Sequence, residues 1–84
     1  MTRYTVVWHD DAQDELIRRW LAAAERELIT GAADIIDWEL ARDAPIKGVT
    51  AKDDLRELVI PPLRVLFAVS EPDRLVKVTN VALV

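Results

Sequence analysis

From Leu55 onward the sequence alternates apolar runs with very short breaks, and few folds can absorb that pattern. The runs are Leu55 to Ile60, Leu63 to Ser70 and Leu75 to Val84, parted only by Pro61-Pro62 and by Glu71-Pro72-Asp73-Arg74. Val, Leu, Ile and Phe suit pleated, half-buried positions, and breaks this short join only neighbouring antiparallel strands. A three-stranded antiparallel meander is expected. Side chains alternate along a strand, so Val65, Phe67 and Val69 share a core face while Arg64, Leu66 and Ala68 share the opposite one. In the last run Val76 and Val78 have one parity and Val81 and Leu83 the other. A single extra residue near Thr79-Asn80, a β-bulge, would return all of them to the core.

The preceding residues read as a strand and two helices. Arg3 to Trp8 is β-rich, with Tyr4, Val6 and Trp8 on one face. Asp10 or Asp11 can cap a helix, and Asp14 and Glu15 add favourable charge to its first turn. Ala12, Leu16, Ile17, Trp20, Leu21, Ala24 and Leu28 recur at helical spacing, which turns Trp20 inward. Thr30-Gly31 interrupts the pattern, and Thr30 suits the cap of a second helix from about Gly31 to Arg42. That helix has one stripe of Ile29, Ala33, Ile36 and Leu40 and a second of Ile35 and Trp38, fitting an αα-hairpin laid over one sheet face. Residues 43–54 (DAPIKGVTAKDD) read as a loop: Pro45 ends the helix, Gly48 permits a turn, and Lys47, Lys52, Asp53 and Asp54 favour water. The order is β-α-α-β-β-β, a two-layer α+β domain spanning residues 1–84.

A chain of 84 residues supports one core. Having no cysteine, it can form no disulfide, thiolate zinc site or cysteine nucleophile. Its net charge of -4 repels phosphate backbones and argues against direct binding of nucleic acid. The apolar runs fall well short of the ~20 residues of a membrane span, and the N-terminus lacks a signal-peptide core, so a cytoplasmic protein with no membrane partner is expected. His9 is the one histidine. His9-Asp10-Asp11 reads as a helix start rather than a metal cluster, because adjacent residues rarely aim at one ion, and neither metal nor cofactor is expected.

The string from Leu55 to Val69 (LRELVIPPLRVLFAV), then a polar turn and Val76-Lys77-Val78, resembles the C-terminal sheet of the RelE/ParE superfamily, toxin components of bacterial toxin–antitoxin pairs. The segment Val6 to Ala12, the segment Ala33 to Asp37, and Leu40, Pro45 and Gly48 are similar to the family's first strand, helices and following loop. In the RNase branch a concave sheet face carries Lys and Arg groups that stabilise the transition state. The resemblance matches Arg64 to the family arginine that opens the middle strand. Arg56 matches the arginine of an Arg-Glu-Leu segment closer to the ParE branch, and both would be the phosphate and transition-state ligands of a nuclease. Glu57, however, stands where the RNases tend to place lysine, Asn80 lies near a further family arginine, and no Tyr or His follows the last strand.

The resemblance therefore implies a ParE-like protein that acts by binding another protein, with DNA gyrase as the implied target, and that a cognate antitoxin neutralises. Arg56, Arg64, Leu66, Lys77, Ile35 and Trp38 are the expected partner contacts, and a homodimer is a further possible assembly. Two alternatives stand beside this reading: a ribosome-dependent mRNA endonuclease, and a repurposed scaffold without toxicity.

Overall fold

The computed structural model describes residues 3–44, 48–52 and 54–84. Its elements are β1 (Thr5–Trp8), α1 (Asp10–Ala22), α2 (Arg26–Asp43), β2 (Val49–Lys52), β3 (Leu55–Ile60), β4 (Leu63–Ser70) and β5 (Leu75–Leu83). The strands form one sheet in the order β1-β5-β4-β3-β2, with β1 parallel to β5 and every other neighbour antiparallel. The fold is α+β: α1 packs on β5, and α2 on β1, β3 and β4. The C-terminal meander forms as expected, because its period-2 pattern leaves each strand one face to bury.

Strand β2 corrects the reading of residues 43–54 as a loop. It is four residues long with only Val49 and Thr50 favouring a strand, too short a local signal, and its conformation comes from pairing Val49 with Glu57 and Thr50 with Arg56. Pro45, Lys47 and Asp53 lie outside the described residues, as does the Lys52 side chain. Gly48 has φ 69°, and a Cβ there would stand 2.1 Å from the Glu57 carbonyl oxygen, so only glycine fits this approach to β3.

The bulge is present. Leu66 pairs with Asn80 but Phe67 with Val78, leaving Thr79 as the extra residue. The Thr79 hydroxyl donates to the Leu66 carbonyl at 3.3 Å. The register shift puts Val76, Val78 and Val81 in the core, whereas Leu83 stays 44% exposed at the strand's end.

Both helix boundaries differ from the expectation. His9, not an aspartate, caps α1: its Nδ1 accepts the Asp11 backbone N–H at 3.1 Å. Helix α1 stops at Ala22 and α2 begins at Arg26, so Thr30-Gly31 lies inside α2 and Leu28 belongs to the second helix. The stop is made by a side chain. Arg26 donates to the Trp20 and Leu21 carbonyls, each at 3.2 Å, satisfying groups that would otherwise extend the helix. Thr30 caps nothing; its Oγ1 accepts Trp20 Nε1–H at 3.1 Å and ties the helices together.

The core lies between helices and sheet: Ile29, Ile36 and Leu40 of α2 and Ala12 of α1 meet Leu63, Val65, Phe67, Val76 and Val78, all nearly or fully buried. Trp8 packs against this cluster and donates Nε1–H to Asp37 at 2.7 Å, pinning β1 to α2. Trp20, expected inside, is 36% exposed between the two helices.

Candidate functional site: the open sheet face and the helical hairpin

The helices cover one face of the sheet, and strand register assigns every residue of the other. Glu57 sits opposite Leu66, which sits opposite Asn80; Val59, Arg64 and Ala82 form the next row, and Ala68 faces Lys77. Val49 extends the Glu57 row onto β2. The open face thus joins Arg64, Leu66 and Lys77, as the sequence suggested. It also carries Val49 and Val59, 62% and 43% exposed, which sequence reasoning did not single out. The signal for Val59 was its parity with Glu57; for Val49 there was none without β2.

Arg64 is not a bare cation on that face. Its Nε donates to Glu57 Oε2, the two side chains being 42% and 27% exposed. A guanidinium held by a carboxylate offers little net field to an anionic transition state. Around the pair the surface is mostly aliphatic, and among the described residues Lys77 adds a positive charge to this face.

Arg56 corrects the expectation that it shares a surface with Arg64. It lies opposite Phe67 and Thr50, hence on the helix-covered face, and its Nη2 donates to the Gly48 carbonyl at 3.1 Å. The sheet separates the two arginines. Arg56 instead lines a cleft of about 520 Å³ at one end of the sheet, with Thr50, Asp54, Leu55, Ala68, Val69 and Glu71. The Glu71 carboxylate there accepts the Tyr4 hydroxyl at 2.9 Å. Burial, and then that carboxylate, raise the Tyr4 phenol above its ordinary value of 10.0, so it is a donor and not a base at neutral pH. Among the described residues no three His, Asp or Glu side chains converge on a point where they could hold a metal ion.

The second exposed surface is the outside of the hairpin. Ile17, Trp20 and Leu21 of α1 and Leu28, Ile35 and Trp38 of α2 are all at least 36% exposed. Trp38 stacks under the Arg42 guanidinium at 4.6 Å, and Trp20 under that of Arg26 at 4.6 Å. Ile35 and Trp38 are thus exposed, which corrects the reading of the second stripe as the contact between α2 and its helical neighbour. Between α1 and α2 a groove of about 190 Å³ is lined by Leu16, Ile17, Trp20, Ile29, Thr30, Ala33 and Asp34.

No protein-family model matches the sequence, and no curated protein matches it. Solved structures do. The toxin–antitoxin complex RelBE2 from Mycobacterium tuberculosis contains a chain 15% identical, with a TM-score of 0.82 over 100% of this chain and 94% of that one. The chromosomal ParDE toxin–antitoxin system from P. aeruginosa matches at 17% identity and a TM-score of 0.72, covering 98% of this chain and 97% of the other. The archaeal RelE–RelB complex from Pyrococcus horikoshii is 25% identical with a TM-score of 0.58, over 99% and 96% of the two chains. The fold is that of the RelE/ParE toxins.

Proposed function

We propose that this chain, having the RelE/ParE toxin fold, is the toxin component of a toxin–antitoxin pair and acts by binding a protein rather than by cutting RNA. Likeness over nearly the full length to chains crystallised with antitoxins supports the first half. The single observation that carries the second is the Glu57–Arg64 ion pair, which neutralises the arginine a nuclease of this fold would present. The aliphatic surroundings of the pair suit a protein partner, since interface centres are depleted in charge. In this reading Arg64, Leu66 and Lys77 contact the target, Ile35 and Trp38 contact the antitoxin, and Arg56 supports the sheet end from behind. DNA gyrase is the target that a ParE-like assignment names.

The test is to induce the chain alone in a bacterium, then together with the short open reading frame beside its gene. Growth arrest relieved by that neighbour supports the toxin assignment, and gyrase-linked DNA breaks with intact mRNA support the protein-binding mode. Absence of any growth effect would leave the repurposed scaffold as the better description. Codon-positioned mRNA ends would favour the endonuclease.

A further inference from the structure

The hairpin groove has two unlike ends. The Trp20–Thr30 bond fixes α1 and α2 as antiparallel neighbours, so the start of α1 lies beside the end of α2. Down α1, Asp10, Asp14, Ile17 and Leu21 recur at intervals of four, three and four, one line on a helix surface. Down α2, Thr30, Asp34, Asp37 and Ala41 do the same. The end near the α1–α2 connection is therefore apolar, built from Ile17, Trp20, Leu21, Ile29 and Ala33. Asp34 lines the groove beside Ile17 and Ala33, and Asp37, Asp14 and Asp10 continue the line toward the other end, all four exposed.

Among the described residues no nearby cation is paired with these carboxylates, and Arg42, at the same end of the hairpin, stacks on Trp38. Arg18 and Arg19 are both held by Glu15 at 3.0 and 2.6 Å, on another side of α1. Arg26 sits at the apolar end, bonded to the Trp20 and Leu21 carbonyls. His9, at the start of α1, lies 3.8 Å from Asp11. Among the described residues no ion pair involves Asp10, Asp14, Asp34 or Asp37, and Asp37 accepts only the Trp8 indole N–H. The chain as a whole carries a charge of -4, so its long-range field has the same sign as this rim.

We propose that the groove docks a cationic amphipathic helix of the partner protein. Large apolar side chains at helical spacing would fill the Ile17–Trp20–Ile29 end, and Lys or Arg would sit over the four aspartates. A third helix fits because two packed helices present ridges and a groove to it, the usual helix-in-groove mode. The inference rests on the reading of the chain as one held by an antitoxin, and it names that partner's chemistry: a basic binding segment on an acidic toxin.

The experiment uses the purified full chain and two synthetic peptides of about 20 residues, long enough for a helix. Both carry Leu at core-facing heptad positions; one has Lys at the flanking positions and the other Glu. Calorimetric titration should show the Lys peptide binding at least ~10-fold more tightly at about 50 mM salt, with the gap closing near 300 mM as screening grows. The double variant Asp14→Asn with Asp34→Asn should weaken the Lys peptide by roughly 5- to 10-fold. Ile17→Asp should abolish its binding, with an unchanged circular dichroism spectrum showing that the chain still folds. Equal or tighter binding of the Glu peptide, indifference to the aspartate substitutions, or no binding of either peptide overturns the proposal. Growth arrest and its relief by the neighbouring frame are read separately, so the toxin assignment can survive that result. A groove that binds the Lys peptide in a non-toxic chain would remove the toxin reading and leave the groove.

Discussion

Phe67 and Arg64 stand three residues apart on β4 and on opposite faces, and their contrast measures what the alternation does. Phe67 is fully buried, so Phe67→Ala should cost about 3–5 kcal/mol in urea melts. Arg64→Ala removes a partly exposed ion pair and should cost about 0–1 kcal/mol. Equal losses would contradict the face assignment. Gly48→Ala should cost at least about 1 kcal/mol from its left-handed φ alone, and more because the new methyl meets the Glu57 carbonyl. Tyr4 titrates in the alkaline range. Its folded-state pKa is raised, so the stability it contributes is fully present below about pH 10 and is lost as pH climbs from there through the folded value. Tyr4→Phe should flatten that part of a stability-versus-pH curve. At this scale the core positions of β4 were legible in the sequence because only one parity there is wholly apolar. The side taken by Arg56 was not, since Leu55 and Val59 on one parity and Leu58 and Ile60 on the other are equally apolar, and only pairing with Phe67 decides between them.

Among the elements, the bulge in β5 was readable to within a residue because a parity break inside one apolar run has a single economical remedy. Deleting Thr79 removes the extra residue and keeps Val76, Val78 and Val81 on one face, so that variant should fold with a melting temperature near the parent's. Deleting Lys77 instead turns Val78 toward the open face and should abolish the cooperative melt. A reversed order of stability would mean that the bulge performs a task register does not describe. The helix boundary was hidden for a different reason. Residues 23–25 contain neither Gly nor Pro, and the stop depends on Arg26 reaching back to carbonyls five and six residues earlier. Thr30-Gly31 supplied the local breaker signal, yet α2 runs through it because Ile29, Ala32 and Ile36 gain more by burial on the sheet than one glycine costs, about 1 kcal/mol.

For the molecule as a whole, the α+β architecture followed from element order, while strand β2 and the split between the two arginines needed the assembled sheet. A charge of -4 and the pairing of Arg64 with Glu57 both oppose attack on a polyanion. Loss of one charge-stabilising donor commonly costs about 10²- to 10³-fold in rate. Purified chain added to programmed ribosomes should therefore leave mRNA 5′ ends unchanged. Codon-positioned cutting that vanishes in Arg64→Ala would establish the endonuclease in its place. The parallel pairing of β1 with β5 sets the order of events during synthesis. Thr5 waits for Leu75, about 70 residues of translation, which at roughly 5–20 residues per second lasts several seconds. From Asp43 onward both helices exist as nascent chain while the sheet they cover still lacks β5, the strand that joins β1 to the meander. A partner that recognises the hairpin would therefore meet its docking surface before the open face of the sheet is complete.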